Sequence, residues 1–164
     1  MEDDFVEGNF LGLPEPVGPA DVIIASVPYE LTTSFGQGTA NGPAACIIAS
    51  GQVELFDDLL DEELPAGASI QTIEPWNGEG NTLQEQLDGI GLYAREQYDS
   101  GAFPIFLGGE HGILPGILRG CDKKVIVLKH VKQVPISGLK SVIDNSVVEA
   151  KEAKSVLCHS TGYF

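Results

Sequence analysis

The chain has 164 residues, 24 acidic and nine basic, giving a formal charge of −15, and 43% of its residues are hydrophobic. This is one globular domain's worth of material, with enough apolar residues to bury a core and too many for a disordered acidic tail. The negative surplus argues against nucleic acid or an anionic membrane as partner, since either would be repelled at long range, and it leaves a small cationic ligand open.

The opening segment, Asn9-Phe-Leu-Gly-Leu-Pro-Glu-Pro-Val-Gly-Pro19, is rich in Gly and Pro and predicts an irregular arm over the surface. Asp21-Val-Ile-Ile-Ala-Ser-Val27 is a continuous apolar run ended by Pro28, the pattern of a strand buried on both faces of a parallel sheet. A glycine-containing loop runs from Tyr29 to Gly42. Pro43 then suits the first turn of a short helix through Ala44-Ala-Cys-Ile-Ile-Ala-Ser50, with Gly51 closing it.

After the acidic stretch Glu54 to Glu63, the segment Ala68-Ser-Ile-Gln-Thr-Ile73 predicts a second strand, leading into the loop 74–81. Thr82 and Glu85 have the spacing of a capping box, and Leu83, Leu87, Ile90, Ala94 and Tyr98 recur at intervals of three and four, so 82–100 predicts an amphipathic helix ended by Gly101. Phe103-Pro-Ile-Phe-Leu107 predicts the next strand, Gly108-Gly-Glu-His-Gly112 a turn, and the residues to about Arg119 a short helix. Strands alternating with helices specify an α/β fold with a mainly parallel sheet.

Residues 1–122 carry 21 acids against Arg95 and Arg119, a charge of −19, whereas 123–164 carry seven lysines against three acids, a charge of +4. Eighteen of the 20 glycines precede Cys121. The break divides the chain into a body, 1–120, and a Lys-rich tail, 121–164. Within the tail, Lys124-Val-Ile-Val-Leu128 predicts a strand, and Leu139, Val142, Ile143, Val147, Ala150, Ala153 and Leu157 fit a helical stripe. Cys46, Cys121 and Cys158 are odd in number and widely spaced, which fits reduced thiols in a cytoplasmic protein. Met1-Glu-Asp-Asp lacks the basic region of a secretory signal, and no apolar run approaches the roughly 20 residues of a membrane span.

Two segments could carry chemistry. Gly108-Gly-Glu-His111 directly follows an apolar strand, and ligands of open α/β sheets bind beyond the carboxyl ends of the strands. His111 there could ligate a metal or move protons, or be an ordinary polar residue at a helix start, with Glu110 simply suiting the helix dipole. The loop Val27 to Pro43 offers Thr32, Thr33, Ser34 and Asn41 to a crevice at the strand ends. Its Gly36-x-Gly38-x-x-x-Gly42 spacing is one residue too long for a dinucleotide fingerprint and lies too far from the strand. Cys121, His130, Cys158 and His159 are zinc-compatible types at intervals that match no paired-ligand spacing.

Together, Val27-Pro-Tyr-Glu-Leu-Thr-Thr-Ser-Phe-Gly-Gln-Gly-Thr-Ala-Asn-Gly-Pro43, Ala49-Ser-Gly-Gln-Val-Glu-Leu-Phe-Asp57 and Phe103-Pro-Ile-Phe-Leu-Gly-Gly-Glu-His111 resemble the ureohydrolase family of arginase and agmatinase, most closely agmatinases, over residues 9 to about 119. The resemblance implies a three-layer α/β/α fold and hydrolysis of a guanidino compound such as agmatine to urea, with two manganese ions activating a bridging water. By the same match His111 is a manganese ligand and Glu110 supports the site without ligating. It also implies a homo-oligomer.

The family's next metal motif, Asp-x-His-x-Asp, should follow residue 120, where this chain has Val127-Leu-Lys-His-Val-Lys132. Lysines stand where carboxylates are needed, and one histidine cannot balance a pair of hard dications. The family's final Asp-x-Asp motif has no counterpart. The expectation is therefore an incomplete C-terminal half, a tail of different origin and no ureohydrolase activity in this form, or else a non-catalytic relative that binds or pairs through a strand edge exposed near 103–107 or its successor.

Overall fold

The structure is a computed structural model that describes residues 5–33, 36–78 and 80–121 in full and 126–130 and 156–160 as backbone strands. Five strands form one sheet: β1 (Val22–Val27), β4 (Ile70–Thr72), β5 (Phe103–Gly108), β6 (Ile126–His130) and β7 (Val156–Ser160). Their order is β4-β1-β5-β7-β6, and every pairing is parallel. The α/β class and the parallel sheet are as expected. β1 and β5 run in continuous register from Val22 opposite Phe103 to Val27 opposite Gly108, so they end level with each other.

Alternation along β1 sorts its side chains to two layers. Ile23, Ala25 and Val27 join Phe106 of β5 in a core closed by Ile90, Ala94 and Tyr98 of helix α2 (Leu83–Asp99) and by Ile113 and Ile117 of helix α3 (Ile113–Gly120). The alternate residues Ile24 and Ser26 are buried on the opposite face, where α1 (Gly42–Ser50) packs on β1 and β5. Helices on both faces of a parallel sheet give the three-layer arrangement.

Helix α2 starts as its sequence dictates. The Thr82 hydroxyl accepts the Glu85 N–H, and the Glu85 carboxylate accepts the N–H groups of Thr82 and Asn81, so three otherwise orphaned donors are satisfied. Gly101 follows with φ of +89°, a conformation that costs glycine nothing. Helix α3 packs closely on α2, an approach that its glycines permit: a Cβ at Gly120 would strike the Gly91 carbonyl and one at Gly116 would reach Ile90 at 2.9 Å. Gly51 does close α1, though with φ of −67°; its lack of a side chain instead leaves room for the Phe5 ring, which a Cβ would meet at 3.0 Å.

The structure departs from the sequence reading at two points. The acidic stretch contains a short antiparallel hairpin, β2 (Phe56–Asp57) with β3 (Glu62–Glu63), whose carboxylate-rich sequence masks its strand character. The helical stripe ending at Leu157 does not hold at its end, since Val156–Ser160 is a strand between β5 and β6; its other residues, 139–153, lie outside the described ones. β5 is accordingly an interior strand, and of the two places expected for an exposed edge, 103–107 or its successor, it is the successor β6 that forms one edge of the sheet, with β4 at the other. Among the described residues, no helix is long and apolar enough to cross a membrane.

Candidate functional site: the carboxyl ends of β1 and β5

Because β1 and β5 end level, their following turns meet. The chain leaves β1 through Pro28 into Tyr29 and leaves β5 through Gly109 into Glu110. These turns are stitched together: Gly109 N–H donates to the Val27 carbonyl at 3.0 Å and Glu110 N–H to the Tyr29 carbonyl at 2.9 Å. Two glycines make the approach possible. A Cβ at Gly109 would overlap the Tyr29 carbonyl, and one at Gly112 would sit 2.7 Å from the Glu110 carboxylate.

Glu110 is 3% exposed, and among the described residues it is the one buried charged side chain. The Thr32 N–H donates to both of its carboxylate oxygens, at 2.9 and 3.0 Å, and the Thr32 hydroxyl donates to Oε1 as well. A buried carboxylate survives only where such donors replace its water. The reading of Glu110 as a plain helix-start residue is therefore overturned: α3 begins at Ile113 with no acid in its first turn, and the carboxylate is committed to the neighbouring loop.

Tyr29 packs beside Trp76, ring centroids 6.1 Å apart, and both rings are buried. Burial, and then the nearby Glu110 carboxylate, push the Tyr29 phenol above its ordinary pKa, and its hydroxyl has no hydrogen-bond partner among the described residues. Sequence patterning singled out neither ring.

The predicted site residues divide. Thr32 and Glu110 are brought together. His111, next to Glu110, is exposed at the mouth of the same turn. Thr33 is half-buried in the loop, while Ser34 lies outside the described residues. Asn41 is exposed at the start of α1, where its side chain caps nothing. The loop is shaped by Glu30, a residue the sequence did not flag: its carboxylate accepts the N–H groups of Gly38 and Ala40 and the Thr39 hydroxyl, at 2.8 to 3.1 Å. These bonds, that of Ala40 foremost, hold the Glu30 carboxyl below its ordinary pKa.

For a metal, no three His, Cys, Asp or Glu side chains gather among the described residues. At the level of the backbone, His159 of β7 stands in register with Gly108 of β5 and Lys129 of β6, and His130 ends β6.

The arginase-family profile matches residues 20–136, which is most of the chain. The chain belongs to the arginase family. The matched span includes both turns and runs past the change of charge at residue 123. The chain is 30% identical to the N(1)-aminopropylagmatine ureohydrolase of Synechocystis sp. over 112 residues, 63% of this chain and 35% of that protein. It is 32% identical to the agmatinase of Bacillus anthracis over 105 residues, 64% of this chain and 36% of that one. It thus spans about a third of the length of the curated relatives it matches.

Its fold is shared with a hypothetical agmatinase from Burkholderia thailandensis, with a TM-score of 0.63 at 20% identity over 96% of this chain and 55% of that one. It is shared also with Trypanosoma cruzi formiminoglutamase, solved with Mn2+, with a TM-score of 0.54 at 15% identity over 86% of this chain and 59% of that one.

Proposed function

We propose that this arginase-family chain carries the crevice in which an agmatinase-like ureohydrolase receives a small cationic guanidino compound such as agmatine, and that by itself it does not hydrolyse that compound. The observation that carries the reading is the commitment of Glu110. Its carboxylate belongs to Thr32, so the turn after β5 offers His111 as its metal-ligand candidate, and no three such ligands gather among the described residues.

Manganese is the family's implied metal, and the donors here do not fit a pair of its ions. A hard dication pair needs several carboxylates, and the segment after β5 offers Lys129 and Lys132 around His130. What remains supports capture. A body of charge −19 over residues 1–122 draws in a cation, and the Glu110–Thr32 and Glu30–Ala40 bonds hold the loop over the strand ends in one shape.

Calorimetric titration of agmatine into the purified chain, run beside a urea-release assay in manganese, tests this. Saturable binding without urea is the expected outcome; sustained urea release would refute the reading.

The second reading, a non-catalytic partner, is favoured by one observation, the uncharged exposed surface of α1.

A further inference from the structure

The pair Asn-Gly occurs twice in the sequence, at Asn41-Gly42 and Asn77-Gly78. Asparagine is chemically labile, most of all before glycine, where no Cβ obstructs the following backbone nitrogen. In such a pair the glycine nitrogen attacks the asparagine Cγ: the N–Cγ bond forms, the bond from Cγ to the side-chain NH2 breaks, and ammonia leaves with the glycine proton. Water then opens the succinimide at either carbonyl and leaves aspartate or isoaspartate. Closure needs a glycine nitrogen released from hydrogen bonding and a backbone that can turn it onto the neighbouring side chain.

The fold treats the two pairs differently. Gly42 is the first residue of α1, and its N–H donates to the Thr39 carbonyl. The Asn41 N–H donates to the Gly38 carbonyl at 3.1 Å, and both residues are right-handed helical, Asn41 with φ −79° and ψ −11°, Gly42 with φ −55° and ψ −49°. Closure at Asn41 therefore breaks a hydrogen bond and the start of a helix, which slows it about tenfold or more. Asn77-Gly78 instead lies exposed in the loop between β4 and α2. Among the described residues the Gly78 N–H donates no hydrogen bond, and a Cβ on Gly78 would meet only the Trp76 ring, at 3.9 Å.

We infer that Asn77 is a site of spontaneous modification, converted through a succinimide with Gly78 to aspartate or isoaspartate, and that the fold protects Asn41 from the same reaction. The product adjoins the strand ends. Trp76 is held by its N–H to the Ser26 carbonyl at 2.9 Å and packs on Tyr29. Isoaspartate lengthens the backbone by one methylene directly after that fixed residue, and either product adds a carboxylate to the loop 74–81.

The test is to age the purified full chain at physiological temperature and mildly alkaline pH, folded and in concentrated urea, and to follow both Asn-Gly peptides by mass spectrometry. In the folded chain the Asn77 peptide gains the mass of NH2 replaced by OH about tenfold faster than the Asn41 peptide, or more. In urea the two rates come together, because the hydrogen bond and helix that shield Asn41 are gone. An isoaspartyl methyltransferase labels the aged native chain and leaves the aged Asn77→Gln chain largely unlabelled. Equal rates in the folded chain overturn the inference. So does a gap that persists unchanged in urea, or labelling of Asn77→Gln as strong as that of the native chain.

Discussion

The backbone N–H of Thr32 is shared between the two carboxylate oxygens of Glu110, at 2.9 and 3.0 Å, across 78 residues of sequence. This link fixes the loop after β1 against the turn after β5. It also explains why Gly112 follows so closely: any side chain there would press on the same carboxylate.

Glu110→Gln keeps the shape but exchanges one accepting oxygen for an NH2 group that must face the Thr32 donors. Because the site is buried, leaving these groups mismatched costs about 1–3 kcal/mol. Urea denaturation should show this loss, and Thr32→Val, which removes only the hydroxyl, should cost about 1 kcal/mol. The double variant should fall short of the sum of the two, as expected for residues in one network.

The α2–α3 contact depends on missing side chains. Gly120→Ala drives a methyl into the Gly91 carbonyl, with an expected loss of about 1–3 kcal/mol. Gly101→Ala meets nothing in space and is penalised by its φ of +89° alone, about 1 kcal/mol. Thermal unfolding of the two variants side by side separates close packing from backbone conformation.

Glu30 should govern part of the acid limb of stability. Its folded pKa lies below its ordinary value of 4.5, chiefly through the Ala40 N–H, so deprotonated Glu30 favours the folded state. That contribution is present above about pH 4.5 and disappears as pH falls through the lower, folded pKa. In melting temperatures taken from neutral to strongly acidic pH, the native chain should exceed Glu30→Gln at neutrality, and the two curves should converge in acid. Parallel curves throughout would remove Glu30 from the acid response.

Much of the fold was legible because its signals are local. The unbroken apolar run of β1, the Thr82–Glu85 capping box and the stripe from Leu83 to Tyr98 each need only a few neighbouring residues to be read. Gly108-Gly-Glu-His111 likewise marked the end of β5 and the turn that leads into α3. What escaped depends on contacts distant in sequence or on residues with mixed propensity. Nothing near Glu110 announces Thr32 as its partner, and nothing near Tyr29 announces Trp76. The β2–β3 hairpin hides among carboxylates that ordinarily disfavour strands, and Val156–Ser160 pairs with β5 across nearly fifty intervening residues, at the end of a stretch, 139–157, whose own pattern suggested a helix.

The central claim is that these strand ends form a family crevice without the donors for a manganese pair. Counting Mn2+ bound to the 164-residue chain by electron paramagnetic resonance tests it most directly. The account predicts only weak, substoichiometric binding that His111→Ala abolishes, with no spin-coupled signal. A spin-coupled pair of ions bound to each chain would contradict it.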